Sequence, residues 1–153
     1  MIDRSEELMI YHGITEVEGV AIQQVVCMEE CAELQMALIK LRKKEESNVE
    51  EEIADIEIAL SKLCVINGMD IFAEIKANPV KVDVARLSDE TIKNLAELIQ
   101  AISKGIRGKE VDLKTKAYKA WAYIQFLKSI IGPVKVEEFK QAKLKRLKGM
   151  VCV

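Results

Sequence analysis

The sequence predicts an all-α fold, a helical bundle with no sheet. Three observations carry that expectation. Only 2 prolines and 5% aromatic residues are present, a composition poor in what strands and tight turns use. Ala, Leu, Ile, Glu and Lys are abundant, and most of these are strong helix formers. Capping residues and glycines fall at intervals that mark out helices.

Taken in order, a short first helix covers residues 3–12 and ends at Gly13. Thr15 with Glu18 forms a capping box for a long second helix reaching about Lys44. Ser47 with Glu50 forms another and opens a third helix, which Asn67-Gly68 stops. A fourth, shorter helix runs from Asp70 to about Asn78 and is halted by Pro79. Residues 80–87 read as a connector. Ser88 caps a fifth helix that ends near Lys104, before the Gly105–Gly108 turn. A sixth spans Asp112 to Ile131 and stops at Gly132-Pro133, and a seventh runs from about Lys135 to Lys148.

This order repeats. A shift of 64 residues superposes Ala32-Glu33-Leu34 on Ala96-Glu97-Leu98, Leu63 on Leu127 and Gly68 on Gly132. Equal spacing of the helix-stopping glycines favours a tandem duplication over chance matching of amphipathic helices. The expected organisation is an N-terminal repeat, residues 1–87, and a C-terminal basic repeat, residues 88–153. The two would pack as a pseudo-dimer and form one globular unit.

The chemistry sits in the first copy. Glu30 with Glu33, and Glu52 with Asp55, are i, i+3 pairs, so the acids of each pair project from one helix face. If the two helices are neighbours, four negative charges converge. At ~5 Å and an effective dielectric of ~20, each pair repels by about 3 kcal/mol. A cation or protonation must offset that. An all-oxygen donor set points to Mg²⁺, with Mn²⁺ as the alternative. Apolar neighbours (Cys27, Cys31, Leu34, Ile53, Ile56) put these acids at a core boundary, where unpaired charge is costly. Glu45, Glu46, Glu50 and Glu51 read as a solvated face instead. In the second copy Glu30, Glu52 and Asp55 become Asn94, Lys116 and Lys119, and only Glu33 persists, as Glu97. One metal site per chain is expected.

Charge is unevenly spread: residues 1–87 carry 18 acids and 9 bases, residues 88–153 carry 7 acids and 14 bases. Two halves that attract each other, or a metal wall facing an anion wall, are both consistent with that split. The basic half lacks an aromatic stacking surface, so nucleic-acid binding is not expected. Trp121, Tyr118 and Tyr123 read as core or subunit-contact residues. Lys40, Arg42, Lys43 and Lys44 suit a helix C-terminus. No run approaches the ~18 apolar residues of a membrane span, and the polar N-terminus does not read as a signal peptide. A cytoplasmic protein is the default. Cys27, Cys31 and Cys64 read as small core residues in a reducing compartment. A zinc site at Cys27 and Cys31 lacks the histidines and the spacing it needs. The one histidine, His12, reads as a solvent-facing cap beside Gly13.

The run Glu29-Glu30-Cys31-Ala32-Glu33, followed about twenty residues later by Glu52-Ile53-Ala54-Asp55, resembles the all-α nucleoside triphosphate pyrophosphohydrolases, the MazG-like family. Asn94 to Lys104, with Arg107-Gly108-Lys109 following, is similar to short phage-type members, as is the basic segment Lys143 to Lys148. The resemblance covers about residues 20–148. It implies Mg²⁺-dependent cleavage of a nucleoside triphosphate to the monophosphate and pyrophosphate. It further implies Glu30, Glu33, Glu52 and Asp55 as metal ligands, and dimers or tetramers, so a homodimer is expected. Glu29 or Glu33 would accept the proton of the attacking water. Opposite losses in the two copies suggest a composite site, with Lys143 and Arg146 contacting phosphates. Gln23, two turns before Glu30 on the same face, is the candidate for reading the base. Two rivals remain at this level, a catalytically silent nucleotide-binding module and a purely structural helical bundle.

Overall fold

The computed structural model describes residues 1–70 and 83–151, and among these every regular element is a helix. The helices are α1 (Arg4–Glu18), α2 (Val20–Arg42), α3 (Val49–Ile66), α4 (Val84–Ile106), α5 (Leu113–Ile131) and α6 (Pro133–Met150). The expected helix from Asp70 to Asn78 and the first residues of the expected connector lie outside the described residues. A 64-residue shift carries the bounds of α2 onto those of α4, and the start of α3 onto the start of α5.

Helix α1 corrects the reading of the N-terminus. It starts on a capping box made by Asp3 and Glu6, and it continues past Gly13, where the sequence suggested a stop. Gly13 is needed for a different reason: a Cβ there would meet the Val151 side chain at 3.0 Å, so the glycine lets the C-terminus of α6 dock. Exposed His12 consequently sits inside α1 and caps nothing. Thr15 does not cap either. Its hydroxyl donates to the Tyr11 carbonyl at 2.8 Å within the helix. The break between α1 and α2 is Gly19, whose φ of +87° is a region that glycine enters readily.

Two more caps shift by short distances. Helix α3 begins after Asn48, while Ser47 reaches back and donates to the Ala37 carbonyl at 2.8 Å. Helix α4 begins one turn earlier than Ser88 suggested. Asp83 is its N-cap, accepting from the Ala85 N–H at 3.0 Å, and the Ser88 hydroxyl donates inside the helix to Val84. The stop at Asn67-Gly68 falls where expected, and the helix expected from Asp112 starts at Leu113 with Asp112 as its N-cap.

Helices α2 and α3 form one antiparallel hairpin and α4 and α5 another, with α2 packed against α4. Their apolar stripes share one core, in which Leu34, Leu38, Ile53, Ile56, Leu60, Leu95, Leu98, Ile124 and Leu127 are buried. Helix α6 crosses back over α3, and α1 packs on α3 and α6. There Ile10, Tyr11 and Ile14 meet Ile58 and Leu144 in a second, smaller cluster. No described helix is long and apolar enough to cross a membrane.

One polar knot is buried between the hairpins. Glu57 of α3, 1% exposed, accepts from Gln125 Nε2 at 2.6 Å and from Lys128 Nζ at 3.0 and 3.2 Å. An ion pair inside apolar surroundings adds little to stability over an apolar substitute, but removing Glu57 takes from Lys128 the nearer of its two carboxylates, the other being Glu137 at 3.6 Å. Glu57→Ala is therefore expected to lower unfolding stability by about 3 kcal/mol in chemical denaturation. Changing Glu57, Gln125 and Lys128 together to apolar residues of similar size should cost clearly less.

Candidate metal centre

Helices α2 and α3 run antiparallel with their acidic stripes at the shared seam. Oxygens of Glu30, Glu33 and Glu52 all lie within 4.8 Å of one another. A six-coordinate Mg²⁺ or a larger hard cation holds opposed oxygens about 4–5 Å apart, so the group matches the span of one ion. Local sequence explains why the acids are held there. Cys27, Cys31 and Leu34 on α2, and Ile53 and Ile56 on α3, are buried beside them. Burying those residues fixes the rotation of both helices and carries the carboxylates inward.

The four expected ligands differ in surroundings. Glu52 is buried, and its Oε1 accepts from the Asn48 side-chain amide. Glu30 is half-buried and Glu33 exposed. Buried Glu30 Oε2 and Glu52 Oε2 have no hydrogen-bond donor. Buried acceptors without donors are rare in folded proteins, and a cation is the partner that would satisfy both at once. Asp55 is not within the tight group. Its carboxylate pairs with Lys143 of α6, yet it lies close enough to raise the proton affinity of both Glu30 and Glu52.

Burial, then Asp55, pushes the Glu30 carboxyl up from its usual 4.5 to about 7, with Glu33 and Glu52 adding and Lys143 opposing. Glu52 is also raised, by burial first and then by Glu33 and Asp55. Without an ion the cluster holds together near neutral pH by keeping a proton.

The other expected site residues divide. Lys143 reaches the site through Asp55. Arg146 is exposed on α6, and among the described residues nothing ties it to the carboxylates. Glu29 is exposed and outside the tight group. Gln23 is 1% exposed, donates its amide N–H to Glu18, and leaves its Oε1 buried without a donor. A cavity of about 290 Å³ opens beside Glu33 and Glu52, lined by Ala32, Met36, Ala37, Lys40 and Asn48.

The positions 64 residues further along the chain hold an ion pair in place of a cluster. Lys116 Nζ lies 2.8 Å from Glu97 Oε2, and it holds the Glu97 carboxyl below its usual range. Asn94 is buried and donates to the Glu90 carbonyl. Among residues that sequence reasoning missed, Lys62 stands out. It is 6% exposed on α3 and close enough to feel Glu18 and Glu30. The signal was a lysine inside the largely apolar stretch Ile58–Cys64, two turns after Asp55.

No protein-family model, no curated protein and no solved structure matches this chain.

The raised carboxyls set a pH dependence. A group whose proton affinity rises on folding stabilises below its unfolded value and loses that contribution as pH climbs through its folded value. For Glu30 that window runs from 4.5 to about 7. In chelator-treated protein the melting temperature should therefore fall across that window, and Glu30→Gln should flatten the fall. Adding Mg²⁺ should reverse the trend above the window, because the ion requires the deprotonated cluster.

Proposed function

We propose that this chain is a Mg²⁺-dependent nucleoside triphosphate pyrophosphohydrolase of the all-α, MazG-like type. The observation that carries the reading is the pair of donor-less carboxylate oxygens on Glu30 and Glu52, converging with Glu33. A surface charge pattern does not bury acceptors in that state. Glu30, Glu33 and Glu52 are the residues to hold the ion, with Asp55 completing the set when Lys143 turns to substrate. Bound there, Mg²⁺ would offset the roughly four negative charges of a triphosphate and acidify a coordinated water.

The chain's own groups supply the rest. Glu33, exposed at the rim, accepts the proton of the attacking water as the anhydride between the first and second phosphates breaks. Glu29 is the weaker candidate for that base, since it lies outside the group. Lys143 contacts phosphate from a helix of the second repeat, so the site is composite. The shared bounds of the α2–α3 and α4–α5 hairpins support a tandem duplication packed as a pseudo-dimer. The Lys116–Glu97 pair supports a second copy that has given up metal binding. Exposed Ile22, Val25, Met36 and Ile39 follow one stripe of α2, which supports a homodimer built on that face.

Pyrophosphate release from a panel of nucleoside triphosphates with Mg²⁺ tests the reading. Wild-type protein should release it from at least one nucleotide. Glu30→Gln and Glu52→Gln should each lose about a hundredfold or more in kcat/KM, the equivalent of roughly 3 kcal/mol of charge stabilisation. Lys143→Ala should raise KM about tenfold. No turnover of any nucleotide would leave the activity without support.

A further inference from the structure

Asn48 holds the N-cap position of α3 and does not cap it. Asparagine is among the best residues for that position, where its side-chain oxygen accepts from an N–H of the first turn. Asp3, Asp83 and Asp112, at the same position of α1, α4 and α5, each accept such a bond. Asn48 makes no cap hydrogen bond, and its backbone, at φ −104° and ψ 37°, lies outside the extended region usual for a cap. Its amide instead donates forward to Glu52 Oε1, one turn into the helix.

The chain carries its own control 64 residues further along. There Asp112 stands in place of Asn48, and Lys116 in place of Glu52. Asp112 caps α5, accepting from the Thr115 N–H at 3.1 Å, and Lys116 pairs with Glu97. Where the residue four positions on is a lysine, the cap is made; where it is Glu52, the cap is given up. The freed side chain lies at the centre itself. Asn48 lines the cavity beside Glu33 and Glu52. Its bond engages one oxygen of Glu52 and leaves the other, Oε2, buried without a donor. The same carboxylate offers an oxygen within 4.8 Å of those of Glu30 and Glu33.

We propose that Asn48 is a positioning residue that makes Glu52 a one-oxygen ligand and so shifts the choice of ion toward Mg²⁺ and away from Ca²⁺. This rests on the metal-centre reading and adds ion selection to it. With Oε1 held by the amide, the carboxylate is fixed in rotation and Oε2 faces the ion. Mg²⁺ requires near-ideal octahedral geometry, with each ligand at about 2.0–2.1 Å. Ca²⁺ takes about six to eight oxygens at longer range and accepts both oxygens of one carboxylate. Withholding Oε1 therefore costs Ca²⁺ a ligand and costs Mg²⁺ none. Groups that hydrogen-bond a metal ligand from behind set its orientation, and their loss lowers metal affinity roughly ten- to hundredfold.

Calorimetric titration of the chelator-treated full chain with Mg²⁺ alone and with Ca²⁺ alone tests the proposal. Asn48→Ser removes the amide and offers a capping oxygen in its place. It should weaken Mg²⁺ binding about tenfold or more, with Ca²⁺ affinity unchanged or raised. The melting temperature without metal should be unchanged or higher, because the cap is restored. Asn48→Gln keeps an amide donor and should retain more of the wild-type ratio of Mg²⁺ to Ca²⁺ affinity. An unchanged ratio in Asn48→Ser overturns the role of Asn48 and leaves the parent reading intact. So does an equal fall in both affinities together with the melting temperature, the pattern of a merely structural contact. Wild-type protein that binds neither ion overturns the parent reading and this one together. If Asn48→Ser does not fold, Asn48→Ala carries the same comparison of the two ions.

Discussion

Hydrophobic packing of α2 on α3 forces like charges together, and the rest of the site follows from that contest. Fully burying one large aliphatic side chain contributes about 1.5–3 kcal/mol. Leu34, Leu38, Ile53, Ile56, Leu60 and Leu63 along this seam are all buried, so their sum exceeds a repulsion of about 3 kcal/mol per carboxylate pair. The helices cannot rotate to release the acids without exposing the stripe beside them. Glu30 and Glu52 are therefore held with buried oxygens that lack donors, and the field is relieved by a proton or by a cation.

Relief also comes from the far end of the chain. Helix α6 sets Lys135, Lys140, Lys143 and Lys148 against Glu50, Glu7, Asp55 and Glu6. The uneven charge of the two halves is in large part this clamp. Only Lys143 of the four reaches the carboxylate centre, and it stops at Asp55, so among the described residues no ion pair reaches Glu30, Glu33 or Glu52. The second hairpin resolves the same problem by substitution: Lys116 stands where the first has Glu52, and it pairs with Glu97. A fold can satisfy this position internally with one lysine. The first hairpin keeps acids in its place, which adds to what their donor-less oxygens say.

Much of this was legible in the sequence because helical periodicity and spacing are local properties. The i, i+3 acids, the stop at Asn67-Gly68 and the 64-residue repeat needed no tertiary knowledge. What escaped was set by long-range contacts. Gly13 looked like a helix stop and is a docking notch for Val151, more than a hundred residues away. Thr15 and Ser88 have capping side chains, yet both donate to carbonyls within helices, because Gly19 and Asp83 supply the actual breaks. Asp55 belonged to the cluster by spacing alone, and only the return of α6 gives it a lysine partner. Arg146, one turn beyond Lys143, is exposed, since the face of α6 that meets α3 is narrow. Lys62 was overlooked because a single lysine in a largely apolar run carries meaning only once its burial is known.

Anomalous diffraction from crystals soaked in Mn²⁺ tests most directly whether a cation is held between Glu30, Glu33 and Glu52. A manganese peak within coordination distance of oxygens from all three side chains is the expected result. Crystals in which those carboxylates turn apart, with no anomalous density between α2 and α3 at millimolar Mn²⁺, would contradict it.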